Sequence, residues 1–252
     1  MLSSIIEYSG LTDTQFWICA TAVFAAGLVR GFAGFGLSAV VMAGVVTIIP
    51  PVELIPVCYV LEGAASLAML RGNFRSADWK MVLVLAGSST AGVPIGLAAT
   101  TYFDPATSQL VALFLILALT VAQLFKIVPP GFGGRFGTPF AGILAGIATG
   151  LASVGGLVVA LYVLSRKVEP SVMRSSLVIY LMVGMVTTLI SLLYYDLMTV
   201  QTLQRGSIFI PLVLFGVFLG SMLFSPRFSP YYKRVCLALL ICLSAAGVFR
   251  LL

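Results

Sequence analysis

The sequence contains no histidine, and only 9% of its 252 residues are charged, against about 25% in an average protein. Without histidine, the chain lacks the commonest zinc ligand and proton carrier. Its four cysteines lie inside apolar runs, where they are expected to be small buried hydrophobic residues rather than disulfide partners or metal ligands: Cys19, Cys58, Cys236 and Cys242. We therefore expect neither a metal site nor a cofactor.

Apolar residues make up 60% of the chain, and the mean hydropathy is +1.14. Runs close to the roughly 20 residues that cross a bilayer recur along the whole length. The N-terminal segment carries Glu7 and Asp13 but no basic residue, so it lacks the basic region of a signal peptide and is interpreted as mature sequence. The net charge of +6 comes from basic residues in short loops, where they set membrane topology, and does not indicate nucleic-acid binding. The sequence predicts an all-α polytopic membrane protein.

One stretch, Arg30 to Ser38, interrupts the apolar pattern with the sequence RGFAGFGLS. Each of its glycines costs about 1 kcal/mol relative to alanine in a helix, so a helix is expected to break here. Unwound backbone is tolerated within a membrane only where it is buried in protein or lines a wet cavity. The break is therefore predicted to face something polar.

The second half of the sequence repeats the first. An offset of 119 positions relates three glycines and a proline of the two halves: Gly27 to Gly146, Gly31 to Gly150, Gly36 to Gly155 and Pro51 to Pro170. Further along, Gly92 and Gly96 recur as Gly216 and Gly220, at an offset of 124. We interpret these matches as an internal duplication, with an N-terminal repeat at 1–125, a Pro- and Gly-rich linker at 126–137 and a C-terminal repeat at 138–252.

Each repeat is expected to contain about five segments and to begin with a glycine-broken helical hairpin. The second hairpin, Pro139 to Leu164, is shorter than the roughly 40 residues that two crossings need, so it is predicted to be re-entrant or to consist of two abbreviated helices. The first hairpin, Phe16 to Ile49, is less decisive. Because five is an odd number, the second repeat enters the membrane from the opposite side.

The basic residues support this inverted arrangement. With the N-terminus outside, 11 of the 14 basic residues fall in inside loops, as the positive-inside rule requires. These residues are Arg71, Arg75, Lys80, Lys126, Arg135, Arg166, Lys167, Arg174, Arg227, Lys233 and Arg234. If each hairpin instead made one net crossing, a four-plus-four parallel arrangement would place some basic loops outside. We prefer two inverted repeats, with both termini outside.

The run VRGFAGFGLSAVVM, the Pro-containing turn after it and the echo GIATGLASVGGLVV resemble the TauE/SafE family of sulfite and organosulfonate permeases. The likeness covers about Phe16 to Leu251. It implies a bacterial inner-membrane secondary transporter that moves small sulfur-containing anions, usually outward. The second motif departs from the family's glycine-rich form, because Ser153-Val154 stands where a glycine is expected, so the two half-sites need not contribute equally.

The glycine motifs are candidate substrate-binding elements. Inverted-repeat transporters place broken helices near the membrane midplane, with helix N-termini directed at anionic groups. Unpaired amides at a helix N-terminus carry roughly half a positive charge and bind oxyanions. Gly34 and Gly36 would let the backbone approach a sulfonate, while Ser38 would donate a hydrogen bond. The candidate substrate-binding residues are Arg30, Gly31, Phe32, Gly34, Phe35, Gly36, Ser38, Ser153, Gly155, Gly156, Ser175 and Ser176.

Several of these residues have a structural alternative. Glycines spaced four apart permit close helix packing, which is the interpretation we prefer for Gly27-xxx-Gly31 and Gly146-xxx-Gly150. Phe32 and Phe35 would either gate the site or pack. Ser175 and Ser176, at the start of the eighth segment, are polar and are candidates for lining the cavity.

Arg30 and Glu62 are the two charged candidates. Arg30, whose counterpart is Thr149, either extends to the headgroups or lies deep, where its planar guanidinium would suit a pair of sulfonate oxygens. Glu62 is placed in mid-span, where an acidic residue is a candidate proton-coupling site or a partner for Arg30; the alternative is a structural pair with a basic or hydroxyl group. Glu53, just after Pro50-Pro51, is expected at a helix N-terminus.

The sequence favours a secondary transporter of a small sulfur-containing anion, working by alternating access and with protons as a candidate coupling ion. A passive anion channel is the main alternative, since the same helix ends would serve a pore. An enzyme is disfavoured, because no Ser/His pair and no membrane-embedded aspartate pair exists. A structural membrane subunit would leave both glycine breaks unexplained. The expected partners are the anion and the bilayer, and the sequence leaves open the exact anion, the transport direction and homodimer formation.

Overall fold

The computed structural model is all-helical over the part of the chain that it describes. That part comprises residues 6, 8–127, 129, 131–132, 136–166, 168–223 and 229–251, with the backbone alone at 229–236. The helices are α1 Asp13–Ala33, α2 Leu37–Val45, α3 Pro51–Asn73, α4 Trp79–Tyr102, α5 Pro105–Leu124, α6 Gly137–Ala152, α7 Gly155–Ser165, α8 Pro170–Tyr194, α9 Val200–Met222 and α10 Ser229–Leu251.

Six of the described helices are long and apolar enough to cross a membrane: α1, α3, α4, α5, α8 and α9. The helices α2, α6 and α7 are shorter, with 9, 16 and 11 residues. At a rise of 1.5 Å per residue, α2 extends only about 14 Å, less than half of a bilayer core of about 30 Å. The chain is therefore a multi-pass membrane protein, and its second hairpin consists of two abbreviated helices, as predicted.

Polar and proline residues between the apolar runs determine where several helices begin. The Thr12 side chain accepts from the Gln15 amide while the Gln15 side chain accepts from the Thr12 amide, which forms a capping box before α1. Asp104 caps α5 by accepting from the hydroxyl and amide of Thr107, and these hydrogen bonds hold the pKa of this exposed carboxyl below its usual value. Pro51 opens α3, where its missing amide hydrogen costs nothing.

The predicted helix break lies later, and is shorter, than the sequence indicated. Helix α1 continues through Arg30 to Ala33 and ends at Gly34, whose φ is +80°. Gly36, with a φ of +90°, then starts α2. In the second hairpin, Ser153 adopts a φ of +58° at the end of α6, at the position equivalent to Gly34. The unwound backbone is thus confined to three residues at the first hairpin tip, 34–36, and to two at the second, 153–154.

The most extensive contacts join the first helix of each half to the fourth helix of the other half: α1 packs against α9, and α6 packs against α4. Backbone meets backbone at these contacts. A side chain at Gly27 would collide with Val213 and Gly216, and one at Gly146 with Ser89 and Gly92. The packing predicted for these spaced glycines is confirmed, and it also explains why α1 tolerates a glycine at position 31, which lies against Val217 of α9.

Some sequence predictions fall outside the described residues. They concern parts of the linker and the basic residues Arg135, Lys167 and Arg227, together with the side chains of Lys233, Arg234 and Cys236. Among the described basic residues, Arg174 lies within α8 rather than in a loop. Arg205 lies on α9, 2.8 Å from the Glu53 carboxylate, which occupies the first turn of α3 as predicted.

Candidate functional site

The two hairpin tips meet at a small buried cavity. Gly36 and Ser38 line it from the first hairpin, Ser153 and Gly156 from the second, and Glu62 from α3. Its volume is about 10 Å³. A cavity of that size has room for about one water molecule, so a sulfonate does not fit unless the tips move apart.

Two helix N-termini contribute to this cavity. Helix α2 begins after Gly36 and α7 after Val154, and neither residue offers a side-chain acceptor to cap the helix. The first amides of a helix need an acceptor and attract negative charge. Neither short helix is thus capped by the residue that precedes it, and each presents a positively polarised end on the side where the tips meet.

At the start of α2, the carboxylate of Glu62 satisfies this need. Its Oε1 atom accepts from the Ser38 amide at 3.3 Å and from the Ser38 hydroxyl at 3.0 Å. Glu62 is only 8% exposed, even though it lies in the middle of an apolar span. The buried negative charge is stabilised by the end of α2, by a hydroxyl and by one cation.

That cation is Arg30, which is fully buried. Its Nε atom lies 3.4 Å from Glu62 Oε2, while Nη2 donates to the Ser66 hydroxyl at 2.8 Å and Nη1 donates to the Gly34 carbonyl. Arg30 therefore binds the unwound tip and pairs with Glu62. Of the two locations that the sequence allowed for Arg30, the structure has the deep one.

The Arg30–Glu62 pair has incomplete hydrogen bonding. Among the described residues, neither Arg30 Nε nor Glu62 Oε2 has a hydrogen-bond partner, although both atoms are buried. Buried polar atoms without partners are costly and uncommon in folded proteins. The pair therefore retains donor and acceptor capacity next to the N-terminus of α2, as a binding site for a polar ligand requires.

The second half supplies the apolar side of the site. At the offset of 119 positions, Ser38 corresponds to Leu157 and Glu62 to Leu181, and both leucines line the same cavity. Arg30 corresponds to Thr149, whose hydroxyl donates to the Ala145 carbonyl within its own helix. The polar groups that line the cavity thus come mainly from the first half.

A second cation, Arg174, holds the end of α1 from the other half. It donates to the carbonyls of Gly31 at 2.6 Å and Phe32 at 3.2 Å, and to the Asn73 side chain at 3.2 Å. A cation is favourable here, because the C-terminal carbonyls of a helix carry partial negative charge. Gly34 allows this contact, since a side chain at that position would meet both the side chain and the backbone of Arg174.

Two predicted serines belong to this second cluster rather than to the small cavity. The Ser175 hydroxyl donates to Asn73 at 3.1 Å, and the Ser176 hydroxyl accepts from the Asp78 amide at 3.0 Å. Together they fasten the start of α8 to the α3–α4 connection. Phe32 and Phe35 are both buried, and Phe35 lies beside Gly156 where the two tips touch. Gly155 packs against Thr149 and Ala145 of α6.

A wider cleft of about 330 Å³ opens near this cluster. It is lined by Asp78 and Lys80 at the start of α4 and by Thr138, Tyr162 and Arg166 of the second hairpin. The Arg166 guanidinium lies against the Tyr162 ring and donates to its hydroxyl at 2.9 Å. Lys80 and Arg166 give this cleft two cations beside the Asp78 carboxylate.

Sequence reasoning missed Ser66, Asn73 and Arg174 as members of the site. Ser66 could have been found, because it lies one helical turn after Glu62 on the same face of α3. No local sequence pattern predicts the hydrogen bond between Arg174 and Asn73, which are separated by 101 positions.

The chain matches the family model described as Sulfite exporter TauE/SafE over residues 19–247, which is nearly its whole length. This match confirms the resemblance carried by the two glycine motifs. Comparison with curated proteins and with solved structures gave no match.

Proposed function

Since the chain belongs to the TauE/SafE sulfite exporter family, we propose that it is a secondary transporter that exports a small sulfur-containing anion, such as sulfite or an organosulfonate. The observation that carries the proposal is the meeting of two helix N-termini at one small cavity that Glu62 lines, with the buried Arg30 guanidinium paired to Glu62 beside it. Helix N-termini and arginine are the groups that proteins use to bind oxyanions. Gly36, Ser38, Ser153 and Gly156 would contact the anion from the two tips.

We propose that transport proceeds by alternating access between two inverted repeats. The first helix of each half packs against the fourth helix of the other half, α1 against α9 and α6 against α4, and this symmetry supports the arrangement. The Arg174–Asn73–Ser175 cluster would close one side of the site, because it links α1 and α3 of the first half to α8 of the second. Opening on that side then requires Arg174 to release the carbonyls of α1.

The proposed location is the bacterial inner membrane, with both termini outside. In this orientation, the cleft that contains Lys80 and Arg166 faces the cytoplasm. Glu62 is the proposed proton-coupling residue, since it is the acidic side chain of the cavity. A passive channel remains the alternative function, and the small cavity favours a transporter because a pore needs a continuous path.

The test is thermal stabilisation of the purified protein by a panel of sulfite, sulfate, thiosulfate, sulfoacetate, taurine and simple carboxylates. A ligand that binds only the folded state raises the apparent melting temperature once its concentration exceeds Kd. We expect a selective increase with one sulfur-containing anion. No increase with any of them would contradict the proposal, whereas flux that does not saturate with concentration would favour the channel.

A further inference from the structure

We infer that Glu62 acts as an internal substitute for the transported anion, so that one proton and one monovalent anion move together in the same direction without net charge. The inference rests on the proposed function, because it concerns the same site. It goes beyond that function in two respects: the group that occupies the anion's position when no anion is bound, and the direction and net charge of the coupled movement of anion and proton.

The geometry of the Glu62 carboxylate is that of a bound oxyanion. One oxygen accepts from the amide and hydroxyl of Ser38 at the start of α2, and the other lies 3.4 Å from Arg30 Nε. These are the donors through which a sulfonate would bind. A carboxylate and a sulfonate both offer two oxygens to such a set of donors. Glu62 and the anion therefore compete for one position.

Charge decides how the anion can enter. Glu62 lines the cavity and Arg30 forms an ion pair with it, and both are buried. A second negative charge would leave a net charge in a poorly solvated region, which is strongly unfavourable. If a proton from water binds a Glu62 oxygen, the neutral carboxylic acid no longer needs Arg30 or the Ser38 amide. The anion then takes both, and the net charge of the site is unchanged.

Release reverses these steps. The proton returns to water on the other side, and the Glu62 carboxylate pairs again with Arg30 and Ser38. That re-formed pair displaces the anion. Because anion and proton each favour the binding of the other, they travel together. The direction of net transport follows the sum of the anion and proton concentration gradients. Export requires that the ratio of internal to external anion concentration exceed the ratio of external to internal proton concentration.

The other titratable groups around Glu62 do not offer an equivalent path. Cys58, on the same helix, interacts with Glu62 electrostatically, and Arg174 lies behind Arg30. Helices α2, α5 and α6 carry no charged or titratable side chain. On the remaining helices packed against α3 or the cavity, such side chains have other partners or lie at helix ends: Asp13 and Cys19 of α1, Lys80 and Tyr102 of α4, Tyr162 of α7, Tyr180 and Tyr194 of α8 and Arg205 of α9.

The experiment measures proton uptake when ethanesulfonate is added to the purified protein in weakly buffered detergent solution. Ethanesulfonate keeps one negative charge at every pH used, so any uptake belongs to the protein. We expect about one proton per bound anion, and about a tenfold gain in affinity for each unit by which the pH is lowered while Glu62 is ionised. Glu62→Gln should bind without proton uptake and independently of pH. Glu53→Gln is the matched control, since it alters a partly exposed carboxylate on the same helix and should behave as the wild type.

The outcomes separate this inference from the proposed function. If the wild type binds ethanesulfonate with pH-independent affinity and without proton uptake, the anion site stands and the role of Glu62 is wrong. If neither the wild type nor Glu62→Gln binds it at any pH, both the inference and the organosulfonate site are overturned. In vesicles, a pH gradient should drive ethanesulfonate flux and an imposed membrane potential should not. Flux that follows the potential contradicts the charge balance.

Discussion

The Nε atom of Arg30 lies 3.4 Å from the Oε2 atom of Glu62, and within the described chain neither atom makes a hydrogen bond. An ion pair buried in a membrane protein is expensive to desolvate, and by itself it is weak evidence for stability. Here it joins the unwound tip after α1 to the middle of α3. The Arg30–Glu62 pair is therefore better explained as part of a site in which one partner is exchanged for a ligand.

Arg30→Ala should abolish anion binding, because it removes the full positive charge that lies 3.4 Å from the Glu62 carboxylate. It should also lower the stability of the protein by about 3–5 kcal/mol, since the Glu62 carboxylate is left buried without its cation. The measurement is the anion-dependent change in melting temperature, compared with Arg71→Ala, which removes an exposed arginine at the end of α3.

The loss of stability and the loss of binding can be separated with the double variant Arg30→Ala/Glu62→Gln. This protein has no unpaired charge at the site, so it should recover much of the stability while still failing to bind the anion. Normal affinity in either Arg30 variant would remove Arg30 from the binding site.

Composition and local spacing predicted the helix break and one deep charge. The glycine pattern of Gly34 and Gly36 indicated the break, and the isolated charge of Glu62 in an apolar run indicated a polar residue within the membrane, whereas for Arg30 the sequence left the deep position and the headgroup position open. The exact end of α1 was not predictable in this way. Gly31 is helical because it packs against Val217, a contact that depends on α9 and not on the local sequence.

Contacts between distant segments account for the rest of what the sequence could not predict. Arg174 looked like a cytoplasmic loop residue, since basic residues near span ends usually are. It lies instead in α8, and its partners Gly31 and Asn73 come from two other helices. Ser175 and Ser176 were predicted as polar lining of a cavity, and they bond to the α3–α4 connection, because the register of α8 turns them towards it.

Gly92→Ala should lower the stability of the protein by about 1–3 kcal/mol, because an added methyl group forces apart two closely packed backbones. A side chain at Gly92 would collide with Ile143 and with Gly146 of α6. The control is Gly87→Ala on the same helix, where no atom lies within 4 Å of the added carbon. That variant should be unchanged or up to about 1 kcal/mol more stable, because alanine is the better helix former. Equal effects at the two positions would contradict the packing role of Gly92.

Asn73→Ala should loosen the link between the two halves. The Asn73 side chain accepts from Arg174 Nη1 and from the Ser175 hydroxyl, so its removal takes an acceptor from two donors in a buried setting. We expect a loss of about 1–3 kcal/mol in stability. We also expect faster alkylation of a cysteine introduced at Ser175 in the Asn73→Ala background than in the otherwise wild-type background. An unchanged alkylation rate would show that this cluster does not close the site. Ser207→Ala on α9 is the control, since it removes an exposed hydroxyl.

Ser153 and Gly34 occupy equivalent positions at the two hairpin tips, and both have positive φ, at +58° and +80°. A residue with a β-carbon is strained in this conformation by about 1 kcal/mol or more, whereas glycine is not. Ser153→Gly should therefore raise the free energy of unfolding by up to about 1 kcal/mol. The reverse exchange, Gly34→Ser, should be far more damaging, because its side chain would also collide with the Arg174 backbone. Thermal unfolding of the two variants, measured side by side, tests both expectations. If Gly34→Ser unfolds at the wild-type temperature, the close contact between the first tip and α8 is wrong, and with it the proposed closure of the site by Arg174.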